Sequence, residues 1–202
     1  METLNYALVV KKIYESGLYL FNNKTLKDII ESKKESTYFK YLSRLIKEKI
    51  LIKIERDKYI LAKANISDFE LANFLLVPSY ISFETALNFW GVISQFPYEI
   101  TSATIKKTRI KKYGEKIFSY SRLSKNLFFG YELINNYLIA NLEKALLDQL
   151  YFVSKGIKKI NFEELDLSKL KKTIFKEYLE NYPKTRQFLK IIKELSKKTK
   201  II

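Results

Sequence analysis

The chain has 202 residues, 47% of them hydrophobic and 15% aromatic, so it can bury a core and is not a disordered basic tail. It contains no cysteine and no histidine, which removes disulfides, thiolate or imidazole metal sites, and Ser-His or Cys-His nucleophile pairs. The formal net charge of +15 suits a polyanion such as nucleic acid or, in the plainer reading, a solvated Lys-rich surface.

The opening METLNYALVVKKIYE mixes charge into its apolar residues and shows no signal-peptide pattern. No apolar run approaches the roughly 20 residues of a membrane helix, so a soluble, cytoplasmic protein with no membrane partner is expected. Tyr6, Val9, Val10, Ile13 and Tyr14 fall on one helical stripe, which Gly17 can terminate. Thr25-Leu26-Lys27-Asp28 has the form of a capping box and predicts a second short helix burying Leu26, Ile29 and Ile30. After a turn at Ser32-Lys33-Lys34-Glu35, a third helix is expected from Ser36 or Thr37, burying Phe39, Leu42, Leu45 and Ile46. The period then changes to alternation, predicting strands at Leu51 to Ile54 and Lys58 to Leu61 joined by a tight charged turn. Helix, helix, turn, helix, hairpin is the order of a winged helix-turn-helix, here over residues 1–65.

In such a fold the third helix enters the DNA major groove and the hairpin lies along the neighbouring backbone or minor groove. The expected outward residues of that helix are Ser36, Thr37, Lys40, Tyr41, Arg44 and Lys47. Arg44 is the expected base reader, because its planar fork fits guanine O6 and N7 together. Lys40 and Lys47 suit phosphates, and Lys24, Thr25, Arg56 and Lys58 would add backbone contacts from the second helix and the wing. Glu48 is the one nearby acid and is expected to lie to the side. Winged helices also serve as protein-protein modules, so that alternative stays open.

The remainder, residues 66–202, reads as a second domain after a linker at residues 62–66. A capping box at Ser67 to Glu70 predicts a helix with Leu71, Phe74 and Leu75, broken by Pro78. Ser82 is expected to cap another, with Phe83, Ala86, Leu87 and Trp90 on one face and Gly91 as terminator. Strand-like segments EITSATI, KIFSYS, LFFGYE and NYLIA follow, separated by basic or Asn-containing turns. Asn141 caps a helix with Leu142, Ala145, Leu146, Leu150 and Val153 inward, on which Lys144 and Asp148 read as a surface ion pair at i, i+4. The fold class is therefore α+β: the winged helix, then a domain with a small antiparallel sheet between helices. Two basic helices close the chain, one with Leu167, Leu170, Ile174, Phe175 and Tyr178, the other from Pro183 with Phe188, Ile191, Ile192 and Leu195; Ser196 to Lys200 is expected to fray.

Lys106 to Lys125 holds eight basic residues against one acid, Glu115. Lys106, Lys107, Arg109, Lys111 and Lys112 would form a second basic patch. With Tyr113, Phe118 and Tyr120 as stacking surfaces, it supports an alternative function as an RNA-binding accessory or processing protein. An enzyme is not expected. The five glycines lie at least 16 residues apart, so neither GxGxxG nor a Walker loop exists, and no Gly-Ser occurs. A carboxylate metal site around Glu84, Glu143 and Asp148 is the weaker reading beside helix-start charge and ion pairing. Glu31-Ser32-Lys33, a nuclease-like Glu-x-Lys, is weak as well, so no metal or cofactor is expected.

Four blocks in order, PSYISFETALNFWGVI (Pro78 to Ile93), EITSATIKKTR (Glu99 to Arg109), FSYSRLSKNLFFGY (Phe118 to Tyr131) and YLIANLEKALLDQLYF (Tyr137 to Phe152), resemble the AbiEi-type antitoxins of type IV (abortive infection) toxin–antitoxin systems. The resemblance covers about residues 5 to 155, and Ile139 to Asp148 is its most specific element. One departure is Phe89-Trp90 before Gly91, where a residue such as His would be expected. The resemblance implies a cytoplasmic transcriptional repressor with an N-terminal winged helix, binding inverted repeats in its own promoter. It also implies an antitoxin that counteracts a nucleotidyltransferase-like toxin without needing a stable complex with it, and it carries over no catalytic residues.

Overall fold

The computed structural model describes residues 5–32 and 34–199, so Lys33 of the expected turn and Lys200 of the expected frayed end lie outside the described residues. The chain divides into two compact units between Ser67 and Asp68, two residues beyond the expected boundary.

In the first unit, helix α1 (Tyr6–Glu15) begins where the Asn5 side chain accepts from the Ala7 amide. It buries Val9 and Ile13, while Tyr14 turns outward. Gly17, at φ +65°, closes it through a hydrogen bond to the Tyr14 carbonyl. Strand β1 (Leu20–Asn22) follows, too short for its alternation to show in the sequence. Helix α2 (Asn23–Ile30) starts earlier than the capping box at Thr25 predicts. Its cap is Asn22, whose Oδ1 accepts from the Thr25 amide at 2.9 Å. Helix α3 spans Glu35–Lys47. Strands β2 (Leu51–Glu55) and β3 (Lys58–Leu61) form a hairpin with Asp57 at φ +64° in its turn. The three strands make an antiparallel sheet in the order β1-β3-β2. Asp57 Oδ1 accepts from the Asn23 amide at 2.8 Å, which ties the hairpin turn to the start of α2. Val9, Ile13, Phe21, Leu26, Leu42 and Leu45 are among the residues filling the core between helices and sheet.

The second unit holds α4 (Asp68–Leu75), β4 (Ser79–Ile81), α5 (Phe83–Phe89), β5 (Ile100–Thr104), β6 (Arg109–Tyr113), β7 (Lys116–Arg122), β8 (Tyr131–Ile134), β9 (Tyr137–Ala140), α6 (Leu142–Ser154), α7 (Lys172–Leu179) and α8 (Arg186–Thr199). The α+β class is as expected, but this unit's sheet is larger than a small antiparallel one. It runs β6-β7-β5-β4-β9-β8, with β4/β9 and β5/β7 parallel and the other pairs antiparallel. The expected strand LFFGYE, Leu127 to Glu132, forms only from Tyr131, and two further strands are additions to the sequence reading. Ser79–Ile81 is too short to show a period, and Arg109–Tyr113 was expected as a basic turn because its polar composition hides an edge strand.

Helix α6 is the hub. Every residue from Leu142 to Leu150 is buried, because α5, α7 and α8 all pack around it. Asn141 caps it as expected, accepting from the Lys144 amide at 3.0 Å. Helix α8 extends through Thr199, and the Ser196 hydroxyl donates to the Ile192 carbonyl within it.

Candidate nucleic-acid interface

On α3 the buried residues are Tyr38, Leu42 and Leu45. Phe39, expected inside, is 49% exposed. Two adjacent aromatics cannot both face the core at 100° per residue, and the hydroxyl decides which does. Tyr38 can be buried because its OH donates to Asn23 Oδ1 at 2.8 Å, and burial pushes its pKa up. Shifting the phase by one residue moves the outward stripe. Its centre is Ser36, Lys40, Ser43 and Lys47, all exposed, with Phe39 on one flank and Arg44 on the other. Lys40 and Lys47 make no hydrogen bond or ion pair among the described residues, and no acid stands on the stripe. Ser43 was missed because the expected phase placed it beside the core. The spacing Tyr38, Leu42, Leu45 was the signal that could have found it.

Arg44 departs most from expectation. Its Nε donates to Glu48 Oε1 at 2.7 Å, and its guanidinium carbon lies 3.8 Å from the centre of the Tyr6 ring. Tyr6 in turn donates its hydroxyl to Glu48 Oε2 at 2.8 Å and stacks on Tyr41, with planes 12° apart. Burial, assisted by the Glu48 carboxylate, pushes the Tyr6 pKa up to about 12, while the Arg44 and Tyr6 hydrogen bonds hold Glu48 below the usual carboxylate range. Glu48 is therefore not off to the side. It clamps Arg44 into a contact between α1 and α3, and Tyr41 is half-buried in the same cluster.

The expected backbone contacts divide in the same way. Lys24 and Arg56 are exposed, Arg56 in the hairpin turn. Thr37 is half-buried. Thr25 is committed to the Asn22 cap, and Lys58 pairs with Glu55 at 3.2 Å.

In the second patch Lys106, Lys107, Arg109 and Lys112 are exposed, on edge strand β6 and the segment before it. Lys111 is half-buried and donates to the Leu75 carbonyl at 2.8 Å. Of the three rings expected as stacking surfaces, Tyr113 is half-buried, while Phe118 and Tyr120 on β7 are buried and Tyr120 donates to the Ala72 carbonyl at 2.6 Å. Strand alternation points these rings into the core and leaves the lysines at the rim.

The surface ion pair expected on α6 is instead fully buried. Lys144 Nζ contacts Asp148 Oδ1 and donates to the Tyr182 hydroxyl at 2.7 Å. Asp148 also accepts from Tyr182 at 2.7 Å, from Ser82 at 2.8 Å and from Tyr80 at 3.0 Å. The Ser82 hydroxyl is thus drawn away from capping α5, which has no side-chain cap bond. Burial lowers the Lys144 pKa against the opposing pull of Asp148, and raises those of Tyr80 and Tyr182. Glu84, Glu143 and Asp148 do not converge. Glu84 pairs with Lys158 at 2.5 Å, and Glu143 accepts from the Lys171 amide at 2.7 Å. Among the described residues no three His, Cys, Asp or Glu groups are placed to hold a metal ion. Glu31, of the Glu-x-Lys, ends α2 at φ +52° and pairs with Lys12 at 2.6 Å. The unexpected Trp90 donates its indole N–H to the Ala140 carbonyl at 2.8 Å, bridging α5 and β9. No described helix is long and apolar enough to cross a membrane.

No family model and no curated protein matches the chain. Among solved structures it is similar to the RV2827C protein from Mycobacterium tuberculosis, with a TM-score of 0.63 and 11% sequence identity over 95% of this chain and 76% of that one. At that identity the likeness is one of fold alone.

Proposed function

We propose that the protein is a DNA-binding transcriptional repressor with antitoxin activity, of the AbiEi type. It would bind inverted repeats in the promoter of its own operon and counteract a nucleotidyltransferase-like toxin encoded beside it in the cytoplasm, without itself being an enzyme. The observation that carries the DNA reading is the acid-free outward stripe Ser36, Lys40, Ser43 and Lys47 of α3. It stands in a unit whose order, helix, strand, helix, helix, strand, strand, is that of a winged helix. Two unpaired lysines one helical turn apart from their neighbouring serines present positive charge and hydroxyls to one groove, and Arg56 in the hairpin turn suits the adjacent backbone.

The antitoxin half rests on the four sequence blocks. They meet physically in the second unit: Tyr80 and Ser82 of the first block bind Asp148 of the fourth, and Tyr131 of the third stacks on Tyr80 at 4.7 Å. The RNA alternative keeps its exposed basic residues but loses two of its three stacking rings with the burial of Phe118 and Tyr120.

Fluorescence anisotropy against the promoter duplex and a random duplex tests the DNA reading. Promoter preference is expected, with affinity falling steeply as salt rises, by about 0.9 in log–log slope per neutralised phosphate. Equal affinity for both duplexes at every salt concentration overturns the repressor. Growth rescue of cells expressing the neighbouring toxin tests the second half, and its absence overturns the antitoxin.

A further inference from the structure

Phe39 is the anomaly of the α3 surface. Its ring is about half exposed at the border between core and wet stripe, with Ser36 one turn before it, Ser43 one turn after it and half-buried Ile46 two turns on. It is braced as well: its ring packs edge-on against buried Tyr38, centroids 5.1 Å apart and planes at 65°, and Tyr38 is pinned by its hydrogen bond to Asn23. A held apolar ring next to hydroxyls and lysines is suited to a surface that offers a methyl group among hydrogen-bonding edges and phosphates. The thymine C5-methyl in the major groove is such a group. Lys40 and Lys47, unpaired on the adjacent stripe, supply the charge complementarity to that duplex. Arg44, clamped by Glu48 on the opposite flank, is not offered to a guanine in this arrangement.

We infer that Phe39 is a specificity-determining residue that seats on thymine methyl groups, so that the protein's sequence preference is for thymine on the Phe39 flank rather than for a guanine under Arg44. The inference rests on the proposed binding of α3 to duplex DNA. Only the methyl distinguishes thymine from uracil at these edges, so the contact can be removed from either side of the interface.

The test compares the full chain and its Phe39→Ala variant on two promoter duplexes of identical sequence, one with thymine and one with uracil throughout. The unaltered chain is expected to bind the thymine duplex at least about fourfold more tightly, the value of burying one methyl carbon. Phe39→Ala should bind both duplexes equally, near the level of the unaltered chain on uracil. Thermal unfolding followed by circular dichroism checks that the variant stays folded, and Phe39→Leu, which keeps an apolar surface, should retain part of the thymine preference. An unaltered chain that prefers its promoter yet is indifferent to the methyl overturns this inference and leaves the repressor standing. A Phe39→Ala variant that keeps the full thymine preference does the same. Absence of promoter preference overturns both.

Discussion

Replacing Asp148 by Asn, or Lys144 by Met, should break the buried network of α6 with unequal cost. Asp148 holds four partners: the Lys144 ammonium and the hydroxyls of Tyr80, Ser82 and Tyr182. Lys144 has Asp148 and one hydroxyl, Tyr182. Lys144→Met keeps an apolar stem in the same volume and leaves a carboxylate with three donors, so its cost is that of a partly satisfied group, about 1–3 kcal/mol. Asp148→Asn leaves an ammonium in the interior without its counter-charge, expected to cost about 3–5 kcal/mol. For a body of this size that is a fall in midpoint of roughly 10–20 °C. Trp90 is the single tryptophan and sits in the second unit, so its fluorescence reads that unit's unfolding alone. The pH dependence adds a second handle. Burial lowers the folded Lys144 pKa below the ordinary 10.5, so folding releases a proton and stability rises as pH climbs toward that value. Tyr80 and Tyr182 have folded values raised above 10.0, so their contribution is present below 10.0 and is lost as pH rises beyond it. In Asp148→Asn the carboxylate that held the lysine charged is gone. The lysine then deprotonates nearer neutrality, and the variant's deficit should shrink as pH rises below 10.0. Equal costs for the two variants, or a deficit that does not shrink with pH, would refute the reasoning.

Gly130 sits at φ +69° with room for no side chain: a Cβ would meet the Tyr178 ring at 3.0 Å and the Lys144 stem at 3.1 Å. Gly130→Ala should therefore destabilise the second unit by at least the ~1–2 kcal/mol of the left-handed backbone alone, seen as a lower midpoint of the Trp90 fluorescence transition. Asn22→Ala removes the cap of α2 and should cost about 1 kcal/mol in the first unit, read by urea unfolding under circular dichroism. Lys40→Ala and Lys47→Ala should each make the salt dependence of promoter binding shallower by about 0.9 in slope without altering sequence preference. Arg44→Ala should leave base preference unchanged but lower the thermal midpoint of the first unit, because it releases Tyr6 and Glu48 from their shared contact; a loss of preference at one base pair would restore it as the reader.

Much of the element order was legible in the sequence, and the failures share a cause. Periodicity located α1, α3, the β2–β3 hairpin and α6, since each has enough turns or alternations to show a period. Strands β1 and β4 have three residues each and show none; they exist because neighbouring strands supply their ladder partners. Strand β6 reads as a turn because an edge strand with lysines is written in polar residues. At the candidate site the composition was legible but the phase was not. Two aromatics in succession leave a one-residue ambiguity, which the spacing Tyr38, Leu42, Leu45 narrows and the hydrogen-bond partner Asn23, fifteen residues from Tyr38, resolves.

The two ion-pair environments show what local sequence can and cannot separate. Lys144-x-x-x-Asp148 and Arg44-x-x-x-Glu48 share a spacing, cation first and acid four residues on; in sequence the first reads as a surface ion pair and the second as a base reader with an acid to its side. One is fully buried and the other more than half exposed on the cation's side. The difference lies in the residues between and around them. On α6 even the polar Glu143, Lys144, Asp148 and Gln149 are enclosed, because α5, α7 and α8 pack around the helix, whereas Ser36, Lys40, Ser43 and Lys47 leave α3 a wet face. A charge on an enclosed helix must bring its partners with it, here three hydroxyls from distant segments. A helix with one wet face can instead leave its lysines unpaired for an outside anion. The second unit has thus spent its charge pair on its own interior, and on this reading binding to DNA falls to the unpaired lysines of α3.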